Sequence, residues 1–195
     1  KKSAATAVAR KRKALENNRS LQTRYPLINL RLEAELLIFI TQTGMNLSQA
    51  HKLKISQANY TASIEGYQVR SYKNRKGGEV LFEIYSSYRP HFERYLSWKK
   101  EVYGDTSDLL FPFIDQYKLS STAPGFCRIR DICKKMDYQY HGPRVLRNTR
   151  INWMLSRSRD PDLTADQAQH SKQTLLKIYE QPSYQTSKVE IIQFW

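Results

Sequence analysis

Residues 27–42 read LINLRLEAELLIFITQ, and this stretch decides the fold class. Apolar side chains recur at the spacing of one helical face, and neighbouring apolar residues widen that face. They are Leu30, Ala34, Leu36, Leu37, Ile38, Phe39, Ile40 and Thr41. The pattern predicts a largely buried helix, which Gly44 can end. Tyr25-Pro26, just before it, predicts a break in the chain.

A short second helix with a packing role is predicted at residues 47–53. Beyond it the pattern changes to β character, with Ile64, Tyr67, Val69 and Tyr72 in one run and VLFEI, residues 80–84, in the next. Between these runs lies KNRKGG, residues 73–78, a polar turn with two glycines. We therefore predict a β-hairpin with a strongly basic tip.

The remainder reads as mostly helical. Helices are predicted at residues 90–102, 126–136, 145–155, 162–168 and 171–179, and the apolar tail at 189–195 predicts a strand or a helix. Such a tail would dock on this domain or on a neighbouring copy. The fold class is therefore α+β: a helical body with one small antiparallel sheet inserted near the middle.

The chain is strongly basic. Its 195 residues contain 32 Lys and Arg against 18 Asp and Glu, a net charge of +14. This charge predicts an anionic partner, most often nucleic acid and sometimes an acidic membrane surface, and the alternative is a solubilising surface. No run approaches ~20 apolar residues, so no membrane span is expected. No secretory signal follows Lys1, and a sequence that does not start with Met is what a fragment would show.

Residues 1–24 form a basic arm or linker, and residues 25–195 form the folded domain, with a C-terminal tail at 185–195. The first 22 residues contain a single acid, Glu16. Two interpretations stay open for them: a helix that touches phosphates, or a linker. The basic hairpin tip and the pair Arg128 and Arg130 would add further phosphate contacts.

The two cysteines, Cys127 and Cys133, lie six residues apart in a predicted helix. Their side chains would point to different faces, so no disulfide is expected. No CxxC or HxxxH spacing accompanies them, so no zinc site is expected either. We predict two buried free thiols in a reducing compartment, and no metal or organic cofactor.

The most specific pattern lies near the end of the chain. LRNT, residues 146–149, begins a helix, His170-Ser171 follows, and Tyr179 comes nine residues after His170. This order resembles the catalytic domain of the tyrosine recombinases, the phage integrase family. In that family a helix with (His)-x-Leu-Arg-x-Thr precedes a Leu-Gly-His-Ser turn and then a tyrosine. TGMNLSQA, residues 43–50, resembles the family's Thr-Gly-Leu-Arg-Ile-Ser-Glu-Leu, and the basic hairpin resembles the family's lysine hairpin.

The resemblance spans residues 27–184 and implies the DNA breaking–rejoining fold. It implies site-specific recombination or integration of double-stranded DNA through a covalent 3′-phosphotyrosine, with several copies assembled on the DNA. The setting would be the bacterial cytoplasm, at the nucleoid, in a phage or mobile element. It assigns Tyr179 as nucleophile, Arg147 as phosphate clamp, His170 as hydrogen-bonding partner of the phosphate and Lys73 as general acid, with Lys76 as the alternative acid. An arginine fork suits this chemistry because its charge is permanent and bidentate.

The sequence departs from the family at the first arginine, where Asn46 stands, and three residues later, where Gln49 replaces an acid. Arg144 stands where the family usually has histidine, so it could supply the charge that Asn46 lacks. A second register would instead pair His141 with Arg144. Three interpretations stay open: an active recombinase with a rearranged clamp, a DNA-binding relative that has lost cleavage, or an unrelated basic α+β domain.

Overall fold

The structure is a computed structural model that describes residues 2–17, 21–63, 80–115, 118–158 and 173. Six α-helices and one short 3₁₀ helix, Ile55–Gln57, are described. The α-helices are α1 Lys2–Asn17, α2 Leu21–Thr43, α3 Leu47–Ala50, α4 Arg89–Tyr103, α5 Cys127–Lys135 and α6 Pro143–Ser158. The described strands are β1 Ala58–Ser63, β2 Val80–Tyr85, β3 Ile114–Asp115 and β4 Lys118–Leu119. The described part of the chain is mostly helical with little strand, which confirms the α+β class.

Helix α2 lies at the centre of the fold and contacts α3, α5, α6 and β2. Four of its apolar side chains are fully buried: Leu32, Leu36, Phe39 and Ile40. The Phe39 ring centroid lies 5.3 Å from that of Phe111, edge to face, and 6.0 Å from that of Phe92. These aromatic rings bury a large apolar area. The prediction of a largely buried helix is therefore confirmed.

Helix α2 ends where the sequence predicts. Gly44 has φ +68, and its N–H donates to the Ile40 carbonyl at 2.8 Å. The Thr43 hydroxyl donates to the Phe39 carbonyl and accepts the Met45 N–H. A residue in the left-handed region at this point favours glycine, because a Cβ would be strained there.

The start of α2 differs from the prediction. The helix begins at Leu21 and continues through Tyr25 and Pro26, so the predicted break there is wrong. It also runs across the predicted boundary between residues 24 and 25. Pro26 lies within the first two turns, where its missing N–H removes one helical bond. The burial of Ile28 and Leu32 just beyond it favours continuing the helix.

The described sheets differ from the predicted hairpin. The second predicted strand is present as β2, but its described partner is β1, and the two run parallel, with Ala58 opposite Val80 and Ser63 opposite Tyr85. Parallel strands require a connection of about a dozen residues or more, which residues 64–79 provide. The first predicted strand, 64–72, and the basic tip lie outside the described residues. The small antiparallel pair is β3 with β4.

Helices α4, α5 and α6 confirm the predictions for residues 90–102, 126–136 and 145–155. The second predicted helix is shorter than expected, because α3 ends at Ala50. Residues 2–17 form a helix rather than a linker, and every α1 side chain whose exposure is described is exposed. The predicted helices at 162–168 and 171–179 and the tail lie outside the described residues, apart from Gln173.

Both cysteines are free thiols, as predicted. Neither is buried, however: Cys127 is exposed and Cys133 is half-buried, so that part of the prediction is wrong. Helix α5 has no fully buried residue, because it lies across the surface of α2 rather than within the core. Within the described ranges, no helix is both long and apolar enough to cross a membrane.

Candidate active site at the junction of helices α2 and α6

Two segments that are far apart in sequence meet at the end of α2. The Arg147 Nε donates to the Gly44 carbonyl at 2.9 Å, across 103 residues of chain. Helix α6 packs closely against the glycine: a Cβ placed there would lie 3.3 Å from the Met154 Cε and 3.5 Å from the Arg150 Cγ. The segments 43–50 and 146–149, which both carry the resemblance, are therefore adjacent in space.

Helix α6 carries Arg147 on the same face as its buried apolar residues, at i, i+4 and i+7 spacing. The helix begins at Pro143, whose fixed φ and missing N–H suit the first helical position. Leu146 packs on the main core, and Ile151 and Met154 are buried farther along. Arg147 is left half-buried, with its guanidinium beside the turn at residues 44–46. This geometry places a permanent positive charge at the surface end of the junction.

Arg150, one turn after Arg147, was not predicted and is 5% exposed. Its Nη1 donates to the Tyr85 hydroxyl at 2.5 Å. Its Cζ lies 4.7 Å from the Tyr85 ring centroid and 4.6 Å from that of Trp153, within cation–π range. The arginines at 144, 147 and 150 recur every third residue, and this spacing could have indicated a shared helix face.

Asn46, which replaces the family's first arginine, is the N-cap of α3. Its Oδ1 accepts the Ser48 N–H at 3.2 Å and the Ser48 hydroxyl at 3.3 Å. The residue has φ −70 and ψ 141 and is exposed. Asparagine is among the preferred residues at this position, since its oxygen satisfies a free helical N–H. Asn46 therefore has a local structural role at this position.

Arg144 and His141 lie in a different setting from Arg147. Both are exposed, with His141 in the loop before α6 and Arg144 in its first turn. The contact with the Gly44 carbonyl belongs to Arg147. The structure thus brings Arg147 into contact with Gly44, two residues before Asn46 in the chain. Lys73, Lys76, His170 and Tyr179 lie outside the described residues, so their placement stays a prediction.

Three other tyrosines are unsuited to act as nucleophiles. Tyr88, Tyr95 and Tyr103 are buried, and burial raises the pKa of each hydroxyl above its usual value. The hydroxyls of Tyr95 and Tyr103 donate to backbone carbonyls at 2.5 and 2.6 Å. A tyrosine that attacks phosphorus must lose its proton and be accessible to the substrate. These three residues meet neither requirement.

Arg128 and Arg130, which are predicted to contact phosphates, each have a protein partner in the structure. The Arg128 Nη1 lies 3.3 Å from the carboxylate of Glu33, which is 1% exposed. The same carboxylate accepts the Ile129 N–H at 2.9 Å, in the first turn of α5. Arg130 donates to the Gly125 carbonyl. Arg128 therefore offsets the charge of a buried acid that caps α5. The sequence feature that could have indicated this ion pair is Glu33, an acid within the apolar stretch of α2.

An open cavity of about 530 Å³ lies elsewhere, between α2 and α4. Its lining includes Arg24, Arg31, Trp98 and Glu101, and the Arg31 Cζ lies 4.1 Å from the Trp98 ring centroid. It shares no residue with the α2–α6 junction. Among the described residues, no group of three or more His, Cys, Asp or Glu could hold a metal ion.

No family model matches the chain, and no curated protein or solved structure matches it. The resemblance to tyrosine recombinases therefore rests on the sequence motifs themselves. The contact between Arg147 and Gly44 is the structural observation that bears on two of those motifs.

Proposed function

We propose that this chain is the catalytic domain of a tyrosine recombinase, which cuts and rejoins double-stranded DNA. One observation carries the proposal: Arg147 donates to the carbonyl of Gly44, 103 residues away. A chance match of short motifs gives no reason for the two segments to touch. A phosphate clamp gives such a reason, because its groups must converge on one phosphate.

The proposed reaction exchanges one phosphate ester bond for another, so the bond energy is kept for rejoining the DNA. The Tyr179 hydroxyl loses its proton to water and its oxygen attacks phosphorus, the bond from phosphorus to the 5′ oxygen breaks, and a 3′-phosphotyrosine forms. Lys73 donates a proton to the leaving 5′ oxygen, with Lys76 as the alternative donor. Attack by a 5′ hydroxyl of another strand reverses these steps and restores the DNA. No metal or organic cofactor enters this scheme.

Arg147 would stabilise the negative charge that builds on the non-bridging oxygens, with His170 as a second donor. A preorganised donor at this position is worth about 2.7–4 kcal/mol of transition-state stabilisation. The net charge of +14 and the exposed basic helix α1 support binding to the DNA backbone. Phosphate contacts of this kind weaken steeply with salt. The proposal includes assembly of several copies on DNA at the bacterial nucleoid.

The test begins with a pool of nicked duplexes of random sequence. The nick lets the short cut strand diffuse away, so that a covalent adduct accumulates and survives denaturation. We expect the unsubstituted protein to form the adduct and the Tyr179→Phe variant to form none. Sequencing the attached DNA would identify a preferred site. Failure to form any adduct would contradict cleavage.

A second candidate function is DNA binding without cleavage. The observation that favours it is the use of Asn46 as the N-cap of α3, since a residue committed to the cap does not clamp a phosphate. Under this alternative, salt-sensitive binding to duplex DNA occurs with no adduct. Asn46→Arg would then restore adduct formation, and Asn46→Ala, which also loses the cap, is the matched control.

A further inference from the structure

Burial of the Arg150 guanidinium in this position opposes folding. A guanidinium that is 5% exposed has lost most of its hydration, and such a loss is tolerated only with specific partners. Two neighbours on α6, Ile151 and Met154, fill comparable buried positions with apolar side chains. An apolar residue would therefore fit this helix, and the guanidinium requires a reason beyond packing.

The contacts of Arg150 link two parts of the fold. Its head is held by β2, through the Tyr85 hydroxyl at 2.5 Å and the rings of Tyr85 and Trp153. These two rings also contact each other edge to face, with centroids 5.7 Å apart. Its aliphatic stem lies against the Gly44 backbone, close enough that a Cβ there would be 3.5 Å from the Arg150 Cγ.

The Gly44 carbonyl in turn accepts the Arg147 Nε at 2.9 Å. A continuous series of contacts thus runs from Tyr85 through Arg150 and Gly44 to Arg147. Tyr85 is the last residue of β2, and β2 follows the basic segment 73–78 in sequence. One buried side chain therefore fixes both the glycine turn that orients Arg147 and the strand that leads from the predicted general acid.

We propose that Arg150 is a positioning residue for Arg147: it fixes the Gly44 turn between α6 and β2, so that the Arg147 guanidinium meets the scissile phosphate in a productive orientation. This inference rests on the proposed function. It assigns Arg150 no contact with DNA. Arg150 acts on catalysis by orienting Arg147. Its loss should therefore slow the reaction only on a substrate whose charge Arg147 neutralises.

The test compares two substrates built on the preferred site found with the random pool. One carries the natural scissile phosphate, and the other carries a methylphosphonate, in which a methyl group replaces one charged oxygen. We expect Arg150→Met to slow adduct formation about ten- to a hundredfold on the phosphate, because small misplacements of a catalytic group have effects of this size. The methylphosphonate linkage is neutral before attack and its transition state carries one charge fewer, so it needs less charge neutralisation, and we expect little loss on it.

A milder variant guards against loss of folding. Tyr85→Phe keeps the ring and removes only the hydroxyl that accepts from Arg150, and we expect the same selective loss, smaller in size. Tyr103→Phe, on α4, is the matched control, because it removes a buried hydroxyl that donates to the Pro112 carbonyl in another part of the core. It should affect the two substrates equally or not at all.

The possible outcomes separate the two levels of the proposal. If the unsubstituted protein forms no adduct with the random pool, the proposed function fails, and the role of Arg150 fails with it. In a second outcome, the unsubstituted protein reacts while each variant, Arg150→Met or Tyr85→Phe, slows by the same factor on both substrates or does not slow at all. That result overturns only the positioning role. A selective loss on the phosphate supports it.

Discussion

Helix α2 has two neighbours of opposite character. On one side lies an aromatic core, formed by Phe39, Phe92, Tyr95 and Phe111, whose rings stack or meet edge to face. At its C-terminal end lies an arginine junction, formed by Gly44, Tyr85, Arg147, Arg150 and Trp153. The first region buries apolar area, whereas the second places two guanidinium groups beside a backbone turn.

The difference separates stability from function. Apolar burial supplies most of the free energy of folding and needs no charged group. The arginine junction places charged groups in partly or fully buried positions, which opposes folding unless their contacts compensate. We therefore expect substitutions in the aromatic core to lower the free energy of unfolding, and substitutions in the arginine junction to lower the rate of DNA cleavage. Five experiments follow from this division.

The largest effect on stability is expected from Phe39→Ala. The ring is fully buried and contacts both Phe92 and Phe111, so its removal leaves a cavity. The free energy of unfolding, measured by urea denaturation, should fall by about 3–5 kcal/mol. Adduct formation by the molecules that remain folded should change little. A large loss of cleavage in folded protein would show that the two regions are coupled.

The largest effect on cleavage is expected from Arg147→Ala. Loss of the clamp should slow adduct formation by about 10²–10³-fold. The free energy of unfolding should change by about 1 kcal/mol, the value of one hydrogen bond. Arg94→Ala, an exposed arginine on α4, is the control and should leave both quantities unchanged.

Arg144→Ala, measured in the same assay, tests the alternative register and the proposed compensation for Asn46. If Arg144 supplies the missing charge, its loss should slow adduct formation well beyond the effect of Arg94→Ala. Equal effects of Arg144→Ala and Arg94→Ala would overturn that role. A loss confined to Arg144→Ala, with Arg147→Ala unaffected, would favour the pairing of His141 with Arg144.

A smaller effect is expected from Gly44→Ala, compared with Gly104→Ala. Both glycines have positive φ, +68 and +52, so each substitution should lower the free energy of unfolding by about 1–3 kcal/mol. Only at Gly44 would the new Cβ meet α6, at 3.3 Å from the Met154 Cε; at Gly104 nothing lies within 4 Å. Adduct formation should therefore slow in Gly44→Ala alone. Equal slowing in both variants would argue against the junction.

The smallest effect is expected from Asp108→Asn, which is not part of the arginine junction. The Ser56 hydroxyl and N–H both donate to the Asp108 carboxylate, and these bonds lower its pKa below the usual 3.8. A lowered pKa means that the stabilisation is present above pH 3.8 and is lost as the pH falls through the folded-state pKa. We expect Asp108→Asn to lose up to about 1 kcal/mol near neutral pH.

Thermal unfolding at several pH values provides the measurement. The difference in Tm between the natural sequence and Asp108→Asn should shrink as the pH falls below 3.8, because the protonated acid then resembles the amide. A difference that stays constant with pH would contradict a role for the ionised carboxylate. Adduct formation should be the same in both proteins.

The helices were predicted well, because the residues that specify a helix lie close together in the sequence. The apolar periodicity of residues 27–42, the glycine at 44 and the Gly142-Pro143 start of α6 each act within a few residues of the chain. Strand pairing was harder to predict, because a strand's partner depends on distant segments. The direction of the β1–β2 pair could not be read from the turn residues at 73–78.

The site was predicted in part. Arg147 and the turn at 44–46 were identified from motifs, and the structure brings them into contact. The roles of Asn46 as a cap, of Arg128 as the partner of Glu33 and of Arg150 as a buried link were not predicted. Each of these roles depends on which groups surround the side chain. The presence of an arginine in the sequence does not reveal whether its side chain is exposed or buried.

By itself, the sequence determined the charge of the chain, the helical body and the chemical groups available to the proposed reaction. These properties follow from composition and from the short-range periodicity of the helix. Only the tertiary structure decided which arginine meets the Gly44 turn, because that depends on how α6 packs across α2. Two segments 103 residues apart meet only when the core between them is complete, and the core forms through non-local burial.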